Sequence, residues 1–279
     1  MQTSFRATAS NKPRILITGG GTFLGDSIAA ALLAEGADVT MIVRSGAEVN
    51  LGPLAQRVRW WHADIWDTAS MRGRGRGHQM VIHTIGSLTA DPTRGLSHHR
   101  LNFVSARNAA TMCISDGVPE LMLISTVRAP WINRRYMRSK REAEGYLGRV
   151  GVQGTIIRAP LVYTRGGNRP PFFTLMTLLG QVPPFRWLAP GRVAPMPVDV
   201  LARGVARIAL DPERKKQIYY AGDLRRRNRR AERTQPVSVA PATTPAADLD
   251  DTRPKRGPLE QLDQELPFGW SPPIDEHEE

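Results

Sequence analysis

The chain has one cysteine, Cys113, among its 279 residues. No internal disulfide can form, and the sequence suits a reducing compartment. No Cys-x-x-Cys pair and no His/Cys cluster reads as a metal site. No apolar run approaches the roughly 20 residues of a membrane-spanning helix; residues 172–179 are the most lipophilic piece and are far too short. Acids are missing from the first 25 residues. Residues 1–13 carry Arg6 and Lys12 among serines and threonines, which fits a mitochondrial targeting arm or an ordinary disordered N-terminus.

Basic charge is what the chain has in excess. The formal net charge is +12 and the sequence pI near 10.7, a balance that favours phosphates, nucleic acid or an anionic lipid surface as surroundings. Apolar residues make up 41%, enough for a substantial core in one large α/β domain.

Strand-like and helical stretches alternate along residues 14–223. Strands are predicted at 14–18, 39–43, 58–62, 80–86, 120–125 and 155–157, with a short last one at 217–220. Helical patterns fall at 24–36, 98–116, 136–150 and 198–210. This rhythm predicts a doubly wound parallel sheet, a Rossmann domain of α/β class with right-handed crossovers. Prolines 170, 171, 183, 184, 190, 195 and 197 break the rhythm and mark a small substrate-side lobe. Residues 72–77, alternating Arg and Gly, read as a solvated loop with a lesser claim on nucleic acid. Beyond 223 comes a basic run, then a Pro/Ala/Thr-rich segment and an acidic end, so residues 224–279 are expected to form an extended charged tail.

Two stretches carry chemistry. The first runs from Arg14 through Gly19, Gly21, Thr22, Phe23 and Leu24 to Gly25. Strand, glycine turn and helix in that order leave backbone N–H groups facing a pyrophosphate. Arg44 ends the second strand, where an acid would hold ribose hydroxyls; a cation there suits a 2′-phosphate and predicts NADP(H). The second stretch is Tyr136-Met137-Arg138-Ser139-Lys140. On a helix Tyr136 and Lys140 share a face, so the ammonium is expected to lower the phenol's pKa and prepare it for acid–base work. Ser125 and Thr126 end the strand before it. His83 in a buried strand and Cys113 on an apolar helix face read as core residues. His98 and His99 read as capping or solvent groups, and Trp60, Trp61 and Trp66 as core or partner contacts.

Together with Asp64-Ile65, His83-Thr84-Ile85-Gly86, Leu101-Asn102, Arg158-Ala159-Pro160 and Pro197-Val198-Asp199, these motifs make the chain resemble an atypical extended short-chain dehydrogenase/reductase across about residues 14–222. Within that superfamily it is similar to the NADPH-binding 39-kilodalton accessory subunit of mitochondrial complex I and its ubiquinone-biosynthesis relatives. The resemblance implies that Gly19, Thr22, Gly25 and Arg44 line the pyrophosphate and 2′-phosphate. It puts Asp64 and Ile65 beside the adenine, Gly86 and Pro160 on the nicotinamide side, and Tyr136 and Lys140 at the nicotinamide ribose. If the protein is active, Tyr136, Lys140 and Ser125 (or Thr126) are the catalytic set.

Thr22 departs from the family's G-x-x-G-x-x-G pattern and is expected to crowd the phosphate. The expectation is therefore a mainly structural NADP(H)-binding subunit of a mitochondrial inner-membrane assembly on the matrix side, above all complex I, with subunits of that complex and anionic lipid as partners. The alternatives are an active NADPH-dependent reductase or ubiquinone-biosynthesis factor, and a mitochondrial ribosome-associated protein whose basic tail contacts RNA.

Overall fold

The structure is a computed structural model and describes residues 12–91, 95–129, 132–165 and 194–237. The chain alternates strand and helix as β1 (Arg14–Gly20), α1 (Phe23–Ala34), β2 (Asp38–Val43), β3 (Arg59–His62), α2 (Thr68–Met71), β4 (Met80–His83), α3 (Ser105–Asp116), β5 (Glu120–Thr126), α4 (Arg134–Leu147) and β6 (Gln153–Ala159). It continues through β7 (Val162–Tyr163), β8 (Met196–Pro197), α5 (Val198–Ala209), β9 (Ile218–Tyr220) and α6 (Ala221–Arg226). Seven strands form one parallel sheet in the order β3-β2-β1-β4-β5-β6-β9, and β7 and β8 pair separately. The doubly wound α/β expectation holds.

Alternation along the strands builds the two cores. Ile15 and Ile17 of β1, Met80 and Ile82 of β4, and Met122 and Ile124 of β5 face the layer that contains α1 and α5. Leu16, Val81, Leu121 and Leu123, the residues between them, face the layer of α3 and α4. Strands buried on both faces need continuous apolar runs, and that is what the sequence supplies. In α1, Leu24, Ile28 and Leu32 repeat every four residues and are all buried, each contributing roughly 1.5–3 kcal/mol by leaving water.

Three expectations change. The helix expected over 98–116 begins with a π-helical turn, Arg100–Val104, before α3. The Arg/Gly segment is not a loose loop, because the Asp116 carboxylate accepts hydrogen bonds from the Gly73 and Gly75 N–H groups at 2.8 and 2.8 Å. Arg74 lies over the Trp61 ring at 5.6 Å. Ordered structure also does not end at 223. Asn228, only 2% exposed, donates to the Val200 and Leu224 carbonyls at 2.9 and 2.9 Å, and Arg207 pairs with Glu232 at 2.7 Å. With the Val237 N–H donating to the Asp199 carboxylate at 3.2 Å, these bonds hold the chain against α5 as far as 237. In the basic run, Arg226 and Arg227 pair with Asp223 and Asp211. The proline-marked lobe falls mostly within 166–193 and the rest of the tail within 238–279, both outside the described residues.

Candidate functional site

The strand order reverses between β1 and β4, and ligands of such sheets bind at the carboxyl ends of the strands beside that switch. The glycine loop leaves β1 there. Gly25 must be glycine, because a Cβ on it would stand 2.1 Å from the Gly19 carbonyl oxygen where α1 crosses β1. Gly21 has φ +75°, and a Cβ on it would run into the Ala47 carbonyl at 2.3 Å.

Thr22 does not crowd this loop. It sits in extended backbone as the N-cap of α1, donating from Oγ1 to the Gly19 carbonyl at 2.6 Å and accepting from the Gly25 N–H at 3.2 Å. The hydroxyl is thus turned back into the turn. The Phe23 and Leu24 N–H groups lie in the first turn of α1, where a helix makes no internal bond to them. Asp26 follows, and its carboxylate accepts the Gly21 N–H at 2.8 Å. Nothing in the glycine pattern foretold that contact, although Asp26 is the first acid of the chain.

The loop after β2 closes over this turn. Arg44 is half-buried at the end of β2, and Asn50 donates to the Gly21 carbonyl at 3.3 Å. Asp64 caps its own turn, accepting the Trp66 N–H at 2.9 Å, and the buried Ile65 is held through its carbonyl by Asn108 at 2.8 Å. Both therefore stand beyond β3, on the side of the sheet where an adenine would lie.

The second half of the site is built on β4, β5 and α4. Gly86 leaves no room for a side chain, since a Cβ would meet Lys140 Nζ at 2.5 Å and Asn102 Oδ1 at 2.6 Å. Asn102, fully buried, clamps the segment after β4 by accepting from the Ser87 N–H and donating to the Ser87 carbonyl, at 3.0 and 3.0 Å. Lys140 is buried and donates to the Ile124 carbonyl at 3.2 Å, with its ammonium 6.0 Å from the centre of the Tyr136 ring. Burial pushes its pKa down to about 8, against a pull upward from Glu144. Pro160 is buried just after β6.

Tyr136 is fully buried, and its hydroxyl has no hydrogen-bond partner among the described residues. Its pKa moves up, opposite to the expectation. Desolvation is the largest cause; the Thr126 hydroxyl and Arg141 act more weakly in the other sense. Sharing a helix face with an ammonium is not enough when the phenolate would have to form out of water.

Ser125 is engaged with α4. Successive side chains of β5 point to opposite faces. Ser125 follows the parity of Leu121 and Leu123 and donates to Glu144 Oε1 at 2.5 Å. Glu144, in turn, binds Arg158 at 2.7 Å and Arg141. Ser125 therefore belongs to a buried charge network that ties β5, α4 and β6 together, while the buried Thr126 hydroxyl donates to the Val127 carbonyl at 3.4 Å.

His83 and Cys113 are core residues, as expected. His83 lies between the Thr18 hydroxyl at 2.9 Å and the Ser105 hydroxyl at 3.3 Å, and burial drives its pKa down to about 3. The buried Cys113 thiol is pushed up to about 12. His98 is not a solvent group but packs edge-on to Tyr136, 6.0 Å between ring centres. It lines a cleft of about 420 Å³ with Ser97, His99, Arg135, Arg138 and Glu142.

Among the described residues no group of His, Cys, Asp and Glu could hold a metal, and no helix is long and apolar enough to cross a membrane. A dinucleotide fits what is present: helix N–H groups at a glycine turn, a half-buried arginine beyond β2, and an orphaned tyrosine hydroxyl next to a buried lysine.

Comparison with known proteins agrees. Residues 19–172 match the family model described as NAD(P)H-binding. An uncharacterized chloroplastic protein of Arabidopsis thaliana is 28% identical over 159 residues, which are 54% of this chain and 51% of that protein. The chain thus spans about half the length of the curated relative it matches. Among solved structures, the Bordetella bronchiseptica enzyme WbmG in complex with NAD is similar with a TM-score of 0.56 at 19% identity, over 76% of this chain and 73% of that one. The dTDP-glucose 4,6-dehydratase DesIV of Streptomyces venezuelae, with NAD and TYD bound, gives 0.54 at 21% identity, over 74% of this chain and 74% of that one. The UDP-glucose 4-epimerase of Thermotoga maritima gives 0.52 at 20% identity, over 71% and 73%. At such identities the likeness is one of fold, and it does not single out a complex I subunit. With more than half its residues inside the family model and the nucleotide-loop geometry in place, the chain belongs to the NAD(P)H-binding family.

Proposed function

We propose that the protein is an NADP(H)-dependent oxidoreductase of the short-chain dehydrogenase/reductase type, acting on a carbonyl or hydroxyl carbon of a small substrate. The observation that carries this reading is the pairing of Tyr136, buried with an unpartnered hydroxyl, with a buried Lys140 at the end of β5. A buried orphan hydroxyl costs roughly 1–3 kcal/mol. It is kept where a ligand oxygen completes it.

In this reading a bound nicotinamide nucleotide supplies or accepts the hydride. The chain does the rest. The Phe23 and Leu24 N–H groups and Arg44 hold phosphates, and Gly86 keeps the floor low beside Lys140. Tyr136 moves a proton between its hydroxyl and the substrate oxygen, with Thr126 orienting it. Lys140 then stabilises the charge left on the phenol. The phenol's raised pKa makes it a proton donor in the resting site, which suits carbonyl reduction.

Titration with NADPH and NADH, followed by nucleotide fluorescence, tests the cofactor. Tighter binding of NADPH is expected, with the preference cut about tenfold in Arg44→Ala, the scale of one lost charge-assisted phosphate contact. No saturable binding of NADPH would end the proposal.

The mitochondrial accessory-subunit reading keeps one support, a tyrosine sealed from solvent and held far from neutrality. On that reading the protein resides on the matrix side of the inner membrane, and it predicts comigration with complex I on native gels and release of stoichiometric NADP(H) on denaturation.

A further inference from the structure

The glycine loop contains its own anion. Asp26 lies in the first turn of α1, where the positive end of the helix favours negative charge, and its carboxylate already holds the Gly21 N–H at 2.8 Å. The Gly25 N–H is taken by Thr22, and the Asp26 N–H by the Thr22 carbonyl at 2.9 Å. That leaves the Phe23 and Leu24 N–H groups of the first turn of α1, which a helix cannot bond internally, for a phosphate oxygen, close in sequence to this carboxylate. An incoming pyrophosphate must share the helix terminus with a like charge.

We propose that Asp26 is the affinity-setting residue of the nucleotide site: an internal competitor for the phosphates, which makes the dinucleotide bind weakly and exchange instead of staying resident. The inference rests on the dinucleotide site described above. It decides between the two readings of its use. A competitor built into the loop suits a cosubstrate that leaves after each turnover and opposes a nucleotide held as a structural part. Repulsion grows with the charge of the ligand, so the penalty falls harder on NADPH, with its extra phosphate, than on NADH.

The test is calorimetric titration of the full chain with NADPH and with NADH, for the wild type, Asp26→Asn and Asp26→Ser. Either replacement keeps an acceptor for the Gly21 N–H and removes the charge. The expected result is NADPH bound about tenfold tighter by Asp26→Asn, a gain of the same sign but somewhat smaller for NADH, which carries the same pyrophosphate, and slower dissociation of NADPH in stopped flow. The unliganded variants should melt at or slightly below the wild-type temperature, because a carboxylate at a helix N-terminus is lost. If the wild type binds NADPH and both variants bind it equally or more weakly, Asp26 assists the nucleotide, for example by accepting ribose hydroxyls, and the inference falls while the dinucleotide site stands. If none of the three proteins binds either nucleotide, the dinucleotide reading falls and this inference with it.

Discussion

The two halves of the site treat their polar groups in opposite ways. At the glycine loop nearly every donor and acceptor is satisfied from within: Thr22 serves both Gly19 and Gly25, Asp26 serves Gly21, Asn50 reaches the Gly21 carbonyl, and Thr84 bonds the Thr18 carbonyl. At the end of β5 the reverse holds. Among the described residues Tyr136 has a buried hydroxyl and no partner, and Lys140 donates to one carbonyl, that of Ile124. On the proposal made for Asp26, a ligand enters the loop by competition. The tyrosine end is unfinished and gains from any ligand that brings an acceptor.

The sharpest way to break this contrast is Tyr136→Phe. The hydroxyl removed has no hydrogen bond to lose, so the folded protein should keep its stability or gain up to about 1 kcal/mol in urea titration. Substrate-dependent NADPH oxidation should fall by about 10²–10⁴-fold, the usual contribution of a positioned proton donor. Loss of stability would show that the hydroxyl has an ordered partner after all, and unchanged turnover would remove the tyrosine from the mechanism.

His83, fully buried under the same switch point, gives a smaller effect of known sign. Its folded pKa of about 3 lies below the ordinary 6.5 of the unfolded chain, because burial and the nearby Lys140 disfavour the imidazolium. Between those values the unfolded chain binds a proton that the folded chain refuses. The stability present above pH 6.5 is therefore lost progressively as the pH falls toward 3. From pH 6.5 to pH 5 the loss from this residue is about 2 kcal/mol. His78 and His98 are shifted the same way, so the comparison must be between wild type and His83→Gln, whose urea-unfolding curves should show a shallower decline over that interval. Parallel declines would mean that His83 is protonated in the fold.

The contrast also explains which parts of the molecule the sequence disclosed. The strands and helices were legible because apolar periodicity reports burial, and Leu24, Ile28 and Leu32 obey it. The glycine turn was legible because Gly25 and Gly21 are demanded by backbone contact. Neither Asp26 nor the direction of the Tyr136 shift was legible. Both depend on how far a side chain is from water and what it touches, and residue type and spacing carry neither. The ordered elements past 223 were hidden for a related reason. The basic run gave no sign of order because the acidic partners of Arg226 and Arg227, Asp223 and Asp211, lie in neighbouring turns whose packing the composition does not show.

Ser125 and Thr126 provide the finest test, since both are buried hydroxyls on adjacent residues of one strand. Strand parity sends them to different partners. Ser125 donates to Glu144, which is already bound by Arg141 and Arg158. Ser125→Ala takes one donor from a carboxylate that keeps two guanidinium partners. It should cost about 1 kcal/mol of stability and leave kcat near its wild-type value. Thr126→Val removes the hydroxyl that acts on the buried phenol, keeps the shape, and should lower kcat about tenfold with little change in KM, the mark of an interaction made in the transition state. The reverse pattern, with kcat falling in Ser125→Ala and holding in Thr126→Val, would return the orienting role to the serine and require β5 to end with the opposite parity under turnover. A double variant whose stability loss equals the sum of the single losses would show that the two hydroxyls belong to separate networks, as their opposite faces dictate.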